Sequence, residues 1–149
     1  MRFVAISAAA VLLLPCAHAY GANEKIPDPQ ALLMLETKAA QASPKEQCFL
    51  YAEIVHDMTE IAGQELSSGD FKHASETLKA VQTYAQKIHM GMAEDTKKLK
   101  NAEILMRHTA FRLNEILHSA ELDDRPTLQS TLKQLDQVQS ELMMQVFKH

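Results

Sequence analysis

Tryptophan is absent from this 149-residue chain, aromatic residues make up only 5% of it, and there are two cysteines, four glycines and five prolines. So few aromatic and β-branched residues, beside long runs of Ala, Leu, Met, Glu, Gln and Lys, exclude a sheet protein. A hydrophobic fraction of 46% equally excludes a disordered chain. What remains is an all-α protein of one domain. Chemistry-bearing motifs are missing too. There is no phosphate-cradling Gly-rich loop, no Gly-x-Ser-x-Gly, no Cys-x-x-Cys-His for covalent haem, and no aromatic cluster on which a sugar would stack. Basic charge is in deficit, 15 Lys and Arg against 19 Asp and Glu, so nothing draws the chain electrostatically to nucleic acid. The local run Lys97, Lys98 and Lys100 follows Glu94 and Asp95 and reads as a solvated face.

The N-terminus is an address. Arg2 precedes an apolar stretch from Phe3 to Leu14, then the breaker Pro15, then Ala17-His18-Ala19, the small-x-small pattern of signal-peptidase cleavage. The stretch is well short of the roughly 20 apolar residues that span a bilayer, so residues 1–19 are expected to be a removed signal peptide and the mature chain to be periplasmic or secreted, with no membrane span. A lipoprotein reading built on Cys16 competes, but Pro15 stands where lipidation signals carry a small residue. Cleavage after Ala19 leaves Tyr20–His149, mildly acidic, with Cys48 its one thiol. No intramolecular disulfide is then available despite an oxidising destination, and packing alone must hold the fold.

Residues 20–28 are polar and aperiodic, a flexible leader. Asp28-Pro29 reads as an N-cap with proline at the first helical position, opening a helix over about 29–42. Ser43-Pro44-Lys45-Glu46 has the form of a capping box and opens a second, over about 44–68. Its stripe Cys48, Tyr51, Ile54, Val55, Met58, Ile61, Ala62 and Leu66 recurs every three or four residues. Ser67-Ser68-Gly69-Asp70 then supplies a stop and a new cap, with Gly69 suited to a left-handed terminal residue. From Phe71 through Ala74, Leu78, Val81, Ala85, Ile88, Met92, Asp95, Leu99, Ala102, Met106, Thr109, Leu113 and Ile116 to Ala120 the seam alternates by three and four without a phase slip, and only Asp95 and Thr109 are not apolar. The unbroken phase predicts one central helix over about 70–121, some 75 Å long at 1.5 Å per residue. The competing reading is a break near Gly91 that folds the same pieces into a four-helix bundle. Asp123-Asp124-Arg125-Pro126 opens the last helix, about 126–147, with seam residues Leu128, Leu132, Leu135, Val138, Leu142 and Val146.

In that heptad register Ile104 and Phe111 fall at f and Leu105 at g, an apolar patch on a nominally outer face that needs a cover. Either the 29–42 helix provides it, or a second copy of the protein does, giving a homodimer through Ile104, Leu105 and Phe111.

Several constellations invite a functional reading. Glu53-Ile-Val-His56 and Glu115-Ile-Leu-His118 have the Glu-x-x-His spacing with which di-iron bundles place a carboxylate and an imidazole on one helix face. Registered from Cys48 for the first pair and from Phe71 for the second, they fall at f and b and at c and f, all outward positions. On a straight central helix His118 lies about 54 Å from the level of His56, and with a reversal near residue 93 still about 20 Å. They read as solvated pairs. His89 and Met92, at i,i+3, are a candidate soft-metal pair for Cu(I), against which Met92 is needed by the seam. A haem clamped between Met34 and His149 would rest on the last residue of the chain. Cys48, at a core position near a helix start, reads as buried filler, with Glu46 and Glu53 opposing any activation and no paired base. Ser68-Gly69-Asp70-Phe71-Lys72-His73-Ala74 has the look of a tetratricopeptide junction, but no 34-residue repetition follows.

From Cys48 through Arg112 to Phe147 the chain resembles uncharacterised exported helical proteins of soil bacteria such as the acidobacteria. That resemblance implies no activity, substrate or site. The sequence therefore leads to an exported, non-enzymatic helical protein without cofactor that presents helix surfaces to a protein partner or to itself. The alternative is a periplasmic metal- or cofactor-handling bundle using some of its His and Met residues.

Overall fold

The computed structural model describes residues 26–88 and 96–148. Among them are five helices, α1 (Pro29–Gln41), α2 (Pro44–Ser67), α3 (Phe71–Ile88), α4 (Thr96–Ser119) and α5 (Arg125–Phe147), and no strand. The proposed signal peptide and most of the leader lie outside the described residues, as do His89, Gly91, Met92 and His149. No described helix is long and apolar enough to cross a membrane.

Local signals act largely as their chemistry dictates. The Asp28 carboxylate accepts from the Gln30 N–H at 3.3 Å and Pro29 occupies the first turn of α1. Gly69 takes φ +81°, the left-handed conformation that costs glycine little. There the Asp70 N–H donates to the Glu65 carbonyl (2.8 Å) and the Gly69 N–H to the Leu66 carbonyl (3.1 Å), the paired bonds of a Schellman ending. The expected capping box does not form. Ser43 is the N-cap residue of α2 but its side chain makes no capping bond. Ser43 and Glu46 are both exposed, so water serves the free N–H groups as well as the box would. The α1–α2 joint is tied instead by Gln47, whose side-chain amide donates to the Ala39 carbonyl at 3.1 Å.

The single helix over 70–121 is not observed: α3 and α4 are separate and antiparallel. Tyr51 stacks near Tyr84, ring centroids 6.0 Å apart, so α3 runs back along α2 from the Gly69 turn. His56 meets Thr109, Glu60 meets Arg112 and Gly63 meets Ile116, so α4 runs parallel to α2. Helix α5 returns along α4, with Gln139 donating to Glu103, and lies beside α3, where the Gln82 amide donates to Thr131 Oγ1 at 2.8 Å. Four helices thus form a bundle with α3 and α4 diagonally opposed, and α1 packs on the outside of α2. An unbroken phase says which side of each helix is apolar and says nothing about direction. Folding back lets both halves of the seam share one core, whereas a straight rod would give each half a single partner.

That core contains Leu78, Val81, Ala85 and Ile88 of α3, Leu99, Ala102, Met106, Leu113 and Ile116 of α4, and Leu128, Leu135, Val138 and Leu142 of α5, as the seam requires. Each large aliphatic side chain removed from water contributes about 1.5–3 kcal/mol. Helix α2 is the most enclosed, because it has α1, α3 and α4 around it. Leu50, Ala52, Thr59 and Gly63 are buried in addition to six residues of its stripe, while Ile61 and Leu66 are half-buried.

Candidate functional site

Where α1 and α4 stand apart over α2 they leave an open groove of about 410 Å³. Phe49, Glu53, His56 and Asp57 form its floor over two turns of α2. Leu35 of α1 forms one wall, and Asn101, Ile104, Leu105 and His108 of α4 the other. Leu35, Phe49 and Leu105 are half-buried and pack on the core, and Ile104 stands at the rim, 36% exposed. The surface is mainly apolar with a few polar groups set into it, the usual make-up of a small-ligand site.

Its electrostatics follow from partial burial. Loss of hydration pushes the Glu53 carboxyl up. Nearby Asp57 adds to the rise, and Lys38 and Lys98 pull the other way. Burial also raises Asp57, where His56 opposes the shift and Glu60 adds to it. Neither carboxylate has a hydrogen-bond or ion-pair partner among the described residues. One turn further along, Glu60 is held by Arg112, whose Nε lies 3.1 Å from both carboxylate oxygens.

His56 is fixed by α4. Thr109 is fully buried, its hydroxyl donates its one proton to the Leu105 carbonyl (2.9 Å), and its oxygen lies 3.0 Å from His56 Nδ1. With that proton spent, the contact requires His56 to donate from Nδ1, which leaves Nε2 the bare nitrogen of the neutral ring.

The heptad register placed Glu53 and His56 outward, and the structure corrects this: both are half-buried and face the groove. A register that assumes one packing neighbour fails on a helix with three. Glu115 and His118 are exposed, as expected. Glu115 accepts from Arg112 at 3.4 Å and His118 Nδ1 lies 2.7 Å from the Asn114 carbonyl. The two Glu-x-x-His pairs stay apart. His56 is level with Thr109, and His118 is a further nine residues along α4, about 14 Å. This is nearer than the 20 Å expected, because the parallel register of α2 and α4 differs from a simple fold-back about residue 93. Among the described residues no three His, Cys, Asp or Glu side chains are placed to hold one metal ion. Met34, one half of the haem pairing, is 70% exposed; the other half, His149, and the pair His89 and Met92 lie outside the described residues.

Cys48 is wholly buried, and burial pushes its thiol from 9.0 to about 12. The apolar trio divides. Leu105, half-buried against the core, and Ile104 both line the groove that Leu35 of α1 reaches. Phe111 remains 65% exposed over a cleft between α4 and α5, so α1 does not cover it. Helix α1 lies too far towards the start of α4 to reach it.

Of the groove's other residues, Phe49, Asp57 and Asn101 were not singled out from sequence. The one signal available was the like-charged pair Glu53 and Asp57 at i,i+4, an arrangement that destabilises a helix unless something offsets it. No protein-family model, curated protein or solved structure matches the chain.

Proposed function

We propose that this is an exported, non-enzymatic helical protein that acts by presenting helix surfaces to a protein partner or to a second copy of itself. The observation that carries the reading is the contrast between its interior and its exterior. Among the described residues the fully enclosed positions of the bundle are apolar apart from Thr59, Thr109 and Thr131, whose hydroxyls donate to carbonyls of their own helices. An interior of that kind holds helices in place and gives no purchase for bond-making. Outside, Leu33 and Met34 stand side by side on α1, 62% and 70% exposed, and Phe111 projects over the α4–α5 cleft. Large apolar side chains grouped on outer faces mark contact surfaces more often than chance exposure does.

The test is site-specific photocrosslinking in cells that make the protein, with the reactive group at Met34 or Phe111 and, as a control, at the exposed α5 position Lys133. A discrete adduct from Met34 or Phe111 but not from Lys133 supports the reading. Absence of adducts at both apolar positions overturns it. The competing reading, a metal- or cofactor-handling bundle, is decided on the purified protein by metal content, a Cu(I) titration and an absorption spectrum: stoichiometric metal or a Soret band would replace the present proposal.

A further inference from the structure

The geometry points to the α1–α2–α4 groove as a binding site for a small amphiphilic organic cation, its apolar body lying on Phe49, Leu35 and Ile104 and its positive head held between Glu53 and Asp57. This goes beyond the interaction reading and does not depend on it, since outer faces can bind a partner whether or not the groove binds a ligand.

Three independent features of the groove converge on that chemistry. The first is the pair of carboxylates. Side chains at i,i+4 stand about 5–6 Å apart at Cβ, so Glu53 and Asp57 repel each other, and both are half-buried without a bonded partner. Partly desolvated charges in that state are costly, and a cation between them relieves the repulsion and the lost hydration together. The second is the apolar surface beside them. Phe49 presents its ring and Ile104 and Leu105 their aliphatic carbons, within a volume that suits a small molecule rather than a partner helix. The third is that an aromatic ring of the groove already attracts positive charge: Lys98 Nζ sits 5.6 Å from the centroid of the Phe49 ring, a distance at which a cation is attracted to the ring face.

The charges around the groove are mixed, and they make the discrimination specific to the pair. Lys38 and Lys98 attract Glu53 without bonding to it, and Glu60 is committed to Arg112. Those lysines act on Glu53 and not on Asp57, so the head group belongs towards the Asp57 end, about two turns of α2 from the Phe49 ring that Lys98 faces.

Calorimetric titration of the purified protein with octyltrimethylammonium, octyl sulfate and octyl glucoside, all below their micelle-forming concentrations, reads the head-group preference with the alkyl body held constant. The ammonium is expected to bind about tenfold or more tighter than the sulfate, the size of effect that one well-placed opposite charge supplies. Methyl resonances of Leu35, Ile104 and Leu105 should shift on binding. Glu53→Gln with Asp57→Asn should remove the preference and leave octyl glucoside binding unchanged. Ile104→Lys, at a rim position that tolerates polarity, should weaken the ammonium through an intact carboxylate pair and provides the check if the double variant does not fold. Binding blind to the head group, shifts confined to other surfaces, no binding at millimolar ligand, or a response to calcium or to a basic amphipathic peptide but not to the ammonium would each overturn the assignment.

Discussion

Gly63 of α2 lies against Ile116 of α4 so closely that a Cβ added at Gly63 would stand 2.8 Å from Ile116 Cδ1 and 3.3 Å from its Cγ1. Ordinarily alanine in place of a helix-interior glycine stabilises by up to about 1 kcal/mol. Here the added methyl must displace an isoleucine that is itself only 7% exposed, and overpacking of this kind costs about 1–3 kcal/mol. Gly63→Ala is therefore expected to be destabilising by about 1 kcal/mol in urea unfolding. In an Ile116→Val background, which lacks Cδ1, the same substitution should become neutral or stabilising. Purely additive effects in the double-mutant cycle would contradict the close approach of α2 and α4.

The contact between His56 and Thr109 makes a spectroscopic prediction. Because the Thr109 hydroxyl donates to Leu105, the neutral imidazole of His56 must carry its proton on Nδ1. Long-range proton–nitrogen correlation spectra at alkaline pH should show that tautomer for His56. Thr109→Val, which keeps the shape and deletes the oxygen, should release the tautomer preference and cost about 1 kcal/mol, the usual worth of a half-buried hydrogen bond. A wild-type His56 protonated on Nε2 would refute the assignment.

The start of α3 should behave as a pH-dependent joint. Asp70 Oδ2 lies 2.6 Å from His73 Nδ1, and its other oxygen accepts from the His73 N–H at 3.4 Å. The bond to His73 lowers the Asp70 pKa below 3.8, and the bond to Asp70 raises that of His73 above 6.5. A depressed carboxylate stabilises above its unfolded pKa and loses that contribution as pH falls through the folded value. A raised imidazole stabilises below its unfolded pKa and loses its contribution as pH rises through the folded one. The two overlap between about pH 4 and pH 6.5, so the stability difference between wild type and His73→Ala should be largest there and shrink towards pH 8. Both groups are exposed, and salt should weaken the effect. NMR titration showing His73 at or below 6.5 would refute the linkage.

How much of this was legible in the sequence depended on how many neighbours a residue has. Leu78, Val81, Leu113 and Leu135 have one buried side each, and spacing alone assigned them to the core. Gly69 was legible because the chain needed a left-handed residue between two amphipathic segments. The direction of α4 was not, since a seam keeps the same period whether the chain continues or turns back. The groove was hidden for a related reason. Glu53 and His56 are outward with respect to α3 alone, and become part of a site once α4 runs parallel beside α2 and α1 lies across it. A single helix's periodicity carries no trace of such a third neighbour. Phe111 shows the reverse case: its outward position was read correctly, and only the idea that α1 would cover it failed.

Cys48 should be chemically silent in the folded protein. Its side chain is wholly buried and its thiol is pushed up to about 12, so at pH 8 almost no thiolate is present and none is reachable. The aromatic disulfide reagent used to count thiols should react at the rate of global unfolding, and at once in denaturant. Because the folded pKa lies above the unfolded one, the stability owed to the neutral thiol is complete below pH 9 and declines as pH rises from there towards 12. Cys48→Ala should flatten that decline while costing about 1 kcal/mol near neutrality from lost packing. A disulfide between two chains through Cys48 would require α2 to open first, so non-reducing electrophoresis of protein purified at pH 7 should show a single monomer band. A substantial dimer band that disappears in Cys48→Ala would mean that the sulfur is reachable and that the burial around the start of α2 is wrong.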